Sequence, residues 1–241
     1  MAKAQPQLPM EILSEIASYW GGCIEDAKAA CLASHLLRHL YQPLIFRVIT
    51  IIDRDQESTA TMVCKLLDAL ERNRTLGLLV HELEWRVDFR SLSQHAGIPR
   101  LFSQLQEIKD FHLTSAGAFR MAWNRIPKDH QEAIFNLCQR PSLQSLRLSN
   151  LIQVPYTLVF NQSLRITRLS VYGIIFDDDD SSLEVCLQAS EYLASLQHFN
   201  YKCSGHMLAD PLTLRWINAS TSSPFLESFE QDIYVWWHGG A

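Results

Sequence analysis

The sequence predicts an α/β protein in which a short helical module is followed by repeats that stack around a parallel β-sheet. Three observations predict this fold. An apolar pattern recurs about every 29 residues, segments with helical periodicity separate its copies, and a short helical stretch that begins at a Pro stands near the N-terminus. Because no single repeat of this size can bury its apolar face alone, neighbouring repeats must stack.

Length and composition indicate a folded protein without a membrane segment. The chain has 241 residues, of which 47% are hydrophobic and 20% are charged, so it can bury a substantial core. The net charge of −5 argues against nucleic-acid binding, for which a basic face is usual. Residues 1–9 contain no apolar run, and the six cysteines are scattered, which argues against a secretory signal and a disulfide scaffold. We therefore expect a cytoplasmic or nuclear location.

The first 50 residues predict three short helices. Pro9 suits the first turn of a helix, and apolar residues then recur at helical spacing up to the two glycines at 21–22. Glu25 opens a second, Ala-rich helix, and a third is expected to end at Pro43. Three short helices cannot close a core alone, so a surplus apolar face must pack on the rest of the chain or on another protein.

The motif LPMEILSEI at residues 8–16, with the later segment ACLASHLLRHLYQPLIFRVITI, resembles the F-box-like opening of a large group of fungal proteins. In that family the module docks on the small adaptor subunit of an SCF-type cullin–RING ubiquitin ligase. The resemblance implies an F-box-like helical module over residues 6–50. It also implies a set of apolar residues that face the adaptor: Leu8, Pro9, Ile12, Leu13, Ile16, Leu32, Leu36 and Leu40.

The third helix departs from the family pattern. The family usually places a Trp there, whereas this chain reads SHLLR at residues 34–38. Two alternatives to adaptor docking follow from this difference. The module could serve as an N-terminal cap on the repeats, or the chain could be a binding module that has lost the ligase link.

Residues 51–241 return repeatedly to the pattern apolar-X-X-apolar-X-apolar. This spacing is typical of leucine-rich repeats, whose strand carries LxxLxL and whose return limb is a helix. The copy LQSLRLSNL at residues 143–151 matches the repeat consensus, including its Asn. We therefore predict a degenerate leucine-rich-repeat solenoid with a parallel β-sheet over residues 51–241. The first positions of the copies are Val80, Ile108, Leu143, Ile166, Leu196 and Leu226, at intervals of 28, 35, 23, 30 and 30 residues.

The segments between the copies have the periodicity of return helices. Residues 61–73, 127–140 and 181–193 each place apolar side chains on one helical face. Alternation of helix and strand favours an α/β solenoid over a four-helix or an all-β fold. The fungal family also follows its F-box-like segment with irregular repeats of this kind. The aromatic end at residues 235–241 further predicts an array without a polar terminal cap.

One residue of each strand is a candidate for contact with a target protein. In a repeat of this type the apolar positions point into a shared core, and the X position of LxL faces the concave side of the sheet. The candidate target-binding residues are Glu84, His112, Arg147, Ser170 and Asn200.

No catalytic, cofactor or metal site is expected. The chain has no Gly-X-Ser-X-Gly elbow, no HExxH motif and no Gly-rich loop that could cradle a phosphate. Cys31, His35 and His39 lie at i, i+4 and i+8 on one predicted helix, a spacing that metal ligands use, but they also belong to the F-box-like segment. The sequence thus predicts a non-enzymatic adaptor, with an enzyme of unrecognised site as a remaining alternative.

Overall fold

The computed structural model describes residues 12–13, 15, 23–53, 55–88, 96–117, 120–160, 166–177, 196–204 and 228–234, the last two segments mainly through their backbone. The chain divides into two compact units, Met1–Val48 and Ile49–Ala241. The predicted boundary lies between residues 50 and 51. None of the helices in the described ranges combines the length and apolar character needed to cross a lipid bilayer.

The first unit contains the helices α1 (Ile24–Ala33) and α2 (His35–Phe46), which pack against each other. Ser34 separates them: its backbone is extended, and its hydroxyl oxygen accepts a hydrogen bond of 3.2 Å from the backbone N–H of Leu36, as in an N-cap. The buried residues of this helix pair are Ala27 and Tyr41. Further apolar side chains pack against these two, namely Ala30, Cys31, Leu37, Leu40 and Ile45.

Two predictions about these helices are wrong. Cys31 does not share a helix with His35 and His39, because the extended backbone of Ser34 ends one helix and caps the next. Pro43 lies inside α2 and does not end it. Proline removes one helical hydrogen bond, but Tyr41 and Ile45 on either side of it both belong to the packed cluster, and this packing outweighs the local preference.

The strands form two sheets. In chain order they are β1 (Val48–Ile52), β2 (Glu82–Val87), β3 (Asp110–Ser115), β4 (Met121–Ala122), β5 (Ser145–Ser149), β6 (Leu151–Ile152), β7 (Arg168–Tyr172), β8 (His198–Ser204) and β9 (Ser228–Tyr234). The main sheet has seven strands in the order β1-β2-β3-β5-β7-β8-β9, and β4 pairs with β6. From β2 to β9, every neighbouring pair in the main sheet is parallel. The predicted α/β fold with a parallel sheet is therefore confirmed.

Helices follow several of these strands. They are α3 (Gln56–Arg72), α4 (Leu76–Leu79), α5 (Gly97–Gln104), α6 (Lys128–Cys138) and α7 (Tyr156–Phe160). Two predicted return helices, at 61–73 and 127–140, are confirmed as α3 and α6, while residues 181–193 and 235–241 lie outside the described part of the chain. α3 begins early because Asp55 caps it by accepting a hydrogen bond of 2.8 Å from the N–H of Ser58. α5 packs between α3 and α6.

The apolar positions of the repeats form the core. In the copies that begin at Val80, Ile108, Leu143 and Ile166, all three apolar positions are buried, and so are the first two in the copy at Leu196. Aromatic rings connect the helices to the strands: the ring centroids of Trp85 and Phe102 lie 5.5 Å apart, and those of Phe102 and Phe111 lie 6.0 Å apart.

The same backbone hydrogen bond recurs one residue after each first apolar position. Lys109 donates to the carbonyl of His81, Gln144 to that of Lys109 and Thr167 to that of Gln144, each at 2.8 Å. Gln197 donates to Thr167 at 2.9 Å. Positions that correspond in the sequence pattern are therefore neighbours in space, so the copies are in register with one another.

Asn150, the consensus Asn of the repeat at 143–151, ends β5 with a positive φ of 56°. Asn adopts this left-handed conformation more readily than most residues. Its N–H donates to the carbonyl of Tyr172 at 2.8 Å, and its own carbonyl accepts from the N–H of Met121 at 3.0 Å. Asn150 therefore connects its own turn to the repeats on both sides.

Candidate binding surface

The five residues predicted to contact a target lie in one row across five neighbouring strands. Glu84 of β2 is in register with His112 of β3, His112 with Arg147 of β5, Arg147 with Ser170 of β7, and Ser170 with Asn200 of β8. Their side chains are exposed or partly buried, whereas the residues on either side of them in β2, β3, β5 and β7, and Phe199 before Asn200, are buried. We call the side of the sheet that carries this row the polar face.

Glu84 is the acidic residue at one end of the row, and it contacts two basic side chains. Its Oε1 lies 2.9 Å from Nε of Arg86 and 3.3 Å from Nδ1 of His112. The hydrogen bond from Arg86 lowers the pKa of Glu84 most, and the charges of Arg86 and His112 lower it further against a smaller effect of burial. Glu84 therefore stays charged at neutral pH and binds its two neighbours.

His112 is half-buried between an acid and a base. Burial lowers its pKa most, the charge of Arg147 lowers it further, and Glu84 opposes both. Its Nε2 lies 3.4 Å from the hydroxyl of Ser149. Because an ordinary histidine already titrates below pH 7, the lowered pKa makes the neutral ring the main form at neutral pH.

A second ion pair crosses the polar face beside this row. Nη2 of Arg168 lies 3.0 Å from Oδ1 of Asp110, although the two residues are 58 positions apart in the chain. Asp110 is in register with Ser145, and Ser145 is in register with Arg168, so the pair spans β5. Both side chains are well exposed, and such a pair contributes little to stability. Its effect is to neutralise these two charges.

Arg147 differs from the other charged side chains near it. Glu84, Arg86, Asp110 and Arg168 all belong to ion pairs, whereas Arg147 is exposed and takes part in no ion pair within the described ranges. It stands in the middle strand of the five that carry the row. Among the described residues, Arg147 therefore presents a positive charge without an ion-pair partner at the centre of the polar face.

The sequence analysis missed several residues of this face. Arg86, Asp110, Ser149 and Arg168 lie two positions before or after a predicted residue on the same strand. Side chains two positions apart on a strand point to the same side, so this periodicity could have identified them. Their pairing partners could not be found in this way, because partners on other strands depend on the register.

Only some of the residues predicted to face an adaptor lie in the described part of the chain. Leu8, Pro9 and Ile16 lie outside the described residues. Ile12 is exposed and Leu13 is partly buried.

The remaining adaptor-facing candidates lie on α1 and α2 and differ from one another. Leu32 is 83% exposed and Leu36 is 44% exposed. Leu40 instead packs against the cluster around Ala27 and Tyr41. The sequence analysis did not single out Ile24 and Leu44, which are also exposed apolar residues of this unit.

A buried acidic residue, also missed from the sequence, follows β1. Asp53 is 2% exposed, and burial raises the pKa of its carboxyl to about 6, although interactions with the Trp85 side chain and the Asp88 backbone lower it. His130 is equally buried, with its ring centroid 5.9 Å from that of Trp85 and its Nδ1 2.8 Å from Oδ1 of Asp129. Asp53 and His130 therefore lie in the core, and the ionisation of Asp53 affects stability.

Metal and thiol chemistry find little support in the described residues. No group of three or more His, Cys, Asp or Glu side chains among them could hold a metal ion. Cys23, Cys31, Cys64 and Cys138 are free thiols. Burial raises the pKa of Cys138 to about 12, which suppresses its reactive thiolate.

Comparison with known proteins adds no relative. No model of a known protein family matches the chain, and a search of curated proteins finds no similar sequence. The F-box-like and leucine-rich-repeat interpretations therefore depend on the residues and the geometry described above.

Proposed function

We propose that this chain is a protein-interaction adaptor, and specifically a substrate receptor of an SCF-type cullin–RING ubiquitin ligase. Residues 6–50 act as an F-box-like module that binds the small adaptor subunit. Residues 51–241 act as a degenerate leucine-rich-repeat array that presents its polar face to a protein target. The chain itself performs no chemistry, which belongs to other subunits, and it works in the cytoplasm or the nucleus.

The observation that carries the binding function is the row from Glu84 to Asn200. Parallel strands that follow chain order bring one side chain from each copy to the same level of the sheet. The backbone hydrogen bond that recurs from His81 to Gln197 supports the repeat interpretation, because it joins equivalent positions of successive copies. An ordered, solvent-facing row of polar side chains suits recognition of a macromolecule better than enclosure of a small substrate.

The observation that supports adaptor docking is apolar exposure on α1 and α2. Leu32 and Leu36 leave apolar surface in water, and Ile24 and Leu44 add to it. Burying such surface against a partner is favourable by about 25 cal/mol per Å². A small helical unit with exposed leucines is therefore suited to bind another protein.

A pull-down with the purified adaptor subunit of a fungal SCF ligase tests this proposal. We expect the full chain to be captured, and we expect Leu32→Asp combined with Leu36→Asp to abolish capture, because each change places a charge in an apolar contact. Both leucines are exposed, so the variant should still fold. Leu78→Asp, at an exposed leucine of the second unit, is the matched control and should be captured normally. Equal capture of all three proteins would refute adaptor docking through these leucines.

A leucine-rich-repeat binding module without the ligase link is the second candidate. The observation that favours it is the SHLLR stretch at residues 34–38, where the family usually has a Trp. This candidate predicts target binding through the polar face without adaptor association. In the same pull-down, the wild-type chain would then not be captured at any adaptor concentration.

A further inference from the structure

We propose that the polar face binds an extended peptide segment through an Asp or Glu carboxylate, and that Arg147 is the residue that holds this carboxylate. The inference deepens the proposed function, because it rests on the polar face as the target-binding surface. It does not depend on the ligase link.

Charge complementarity is the first argument. Of the charges described on β2, β3, β5 and β7, Glu84 is paired with Arg86 and His112, and Asp110 is paired with Arg168. Glu82 also lies on this face, but it is in register with Asp110 at the start of β2, two strands away from Arg147. Arg147 is left without an ion pair in this part of the chain, and the positive charge that it presents lowers the pKa of the neighbouring His112. A bound anion would balance the charge of Arg147 itself.

The neighbours of Arg147 supply further hydrogen-bond donors. His112 and Ser170 flank it on the adjacent strands, about 4.8 Å away between strand axes, and Ser149 follows on its own strand. The planar guanidinium can hold a carboxylate by two parallel hydrogen bonds. The Ser170 hydroxyl is then placed to donate to the same ligand or to its backbone.

The surrounding acids favour a carboxylate over a phosphate. Glu84 and Asp110 already hold Arg86 and Arg168 in ion pairs, so neither of these arginines is free to balance a second negative charge on a ligand. A carboxylate carries one charge, which Arg147 alone can balance, whereas a phosphoryl group carries about −1.5 to −2 at neutral pH. A row of side chains at one level of several neighbouring strands also suits an extended segment that crosses these strands.

His112 couples this binding to pH. An anion held by Arg147 stabilises the protonated ring, so binding takes up a proton and strengthens as the pH falls. The peptide carboxylate stays charged above about pH 5.5, so it does not cancel this effect. The groups that face His112 are Glu84 and Arg86 from β2, Arg147 and Ser149 from β5, and Asp110 and Thr114 on its own strand.

The experiment uses a phage library of random linear dodecapeptides selected on the immobilised full chain. We expect the selected peptides to share an Asp or Glu position. A fluorescent copy of the most enriched peptide is then titrated with the chain in an anisotropy assay. Arg147→Gln should weaken its binding roughly tenfold to hundredfold, and Arg74→Gln, an exposed arginine on the turn between α3 and α4, should leave it unchanged. Affinity should rise about threefold to tenfold from about pH 8 to about pH 5.5.

Three results would overturn the proposal. They are selection without acidic enrichment, equal binding of the peptide and its Asn or Gln counterpart, and unchanged affinity in Arg147→Gln. Tighter binding of a phosphoserine version than of the Glu version would also overturn it, in favour of a phosphate ligand. Adaptor capture of Arg147→Gln, measured in parallel, separates this inference from the ligase proposal, because the substitution lies outside residues 6–50 and should not affect capture.

Discussion

Leucine side chains have different environments in the helical unit of residues 1–48 and in the repeats around the main sheet. Leu32 on α1 is 83% exposed, whereas Leu146 on β5 is fully buried. In the helix pair, only Ala27 and Tyr41 are buried, while the copies that begin at Val80, Ile108, Leu143 and Ile166 bury all three of their apolar positions. Apolar residues in the repeats therefore stabilise the fold itself, and those left exposed on the helices are available to a partner.

The largest expected effect concerns the buried leucines of the main sheet. Leu146→Ala should lower the free energy of unfolding by about 4 kcal/mol, because it leaves a cavity between well-packed neighbours. Urea denaturation measures this change. The matched variant Leu32→Ala should change stability by less than about 0.5 kcal/mol, as exposed positions usually do. Similar losses in the two variants would mean that Leu32 is covered within the chain and is not free for a partner.

The next effect concerns the buried acid in the sheet core. The pKa of Asp53 rises from 3.8 to about 6 on folding, so the folded state holds this proton more firmly than the unfolded state. Asp53 therefore does not destabilise the folded protein at low pH, where its carboxyl is protonated in both states. Its destabilising effect grows as the pH rises from 3.8 to about 6, and it reaches about 3 kcal/mol at higher pH. Asp53→Asn should accordingly stabilise the protein by about 3 kcal/mol at about pH 8 and by almost nothing at about pH 4.

Thermal or urea unfolding at several pH values measures this difference between Asp53→Asn and the wild type. Asp68→Asn, on the exposed side of α3, is the control and should show no such pH dependence. A stabilisation by Asp53→Asn that stayed constant across the pH range would rule out ionisation as its cause.

The smallest effect concerns the polar face. Arg147→Gln should raise the pKa of His112, because it removes a positive charge, and Glu84→Gln should lower it, because it removes the negative charge that favours protonation. Titration of the His112 ring by NMR measures both shifts. Neither variant should change stability by more than about 1 kcal/mol, since Arg147 is exposed and the contacts of Glu84 are partly open to solvent. Shifts in the same direction would contradict the arrangement of Glu84 and Arg147 on opposite sides of the ring.

The repeat strands were predictable because their pattern is periodic. Each strand begins two residues after a first apolar position, as at Glu82 after Val80 and at Ser145 after Leu143. The second and third predicted helices are present as α1 and α2. The single helix across Cys31 and His39 and the helix end at Pro43 were predicted wrongly, because a cap at Ser34 and a packed cluster outweighed local propensity there. The docking roles of the helical unit and of the row stay predictions, and the pull-down and the peptide selection test them.

The amino-acid sequence by itself determined which side chains of each strand enter the core and which face solvent, since side chains alternate along any strand. Only the tertiary structure decided which polar groups meet on the polar face. Asp110 finds Arg168 across β5, and Ser149 lies beside His112, because the sheet register joins positions that are far apart in the chain. The tertiary structure also decided that Asp53 is buried and that Arg147 is left without an opposite charge in the described part of the chain, because burial and pairing depend on all neighbours at once.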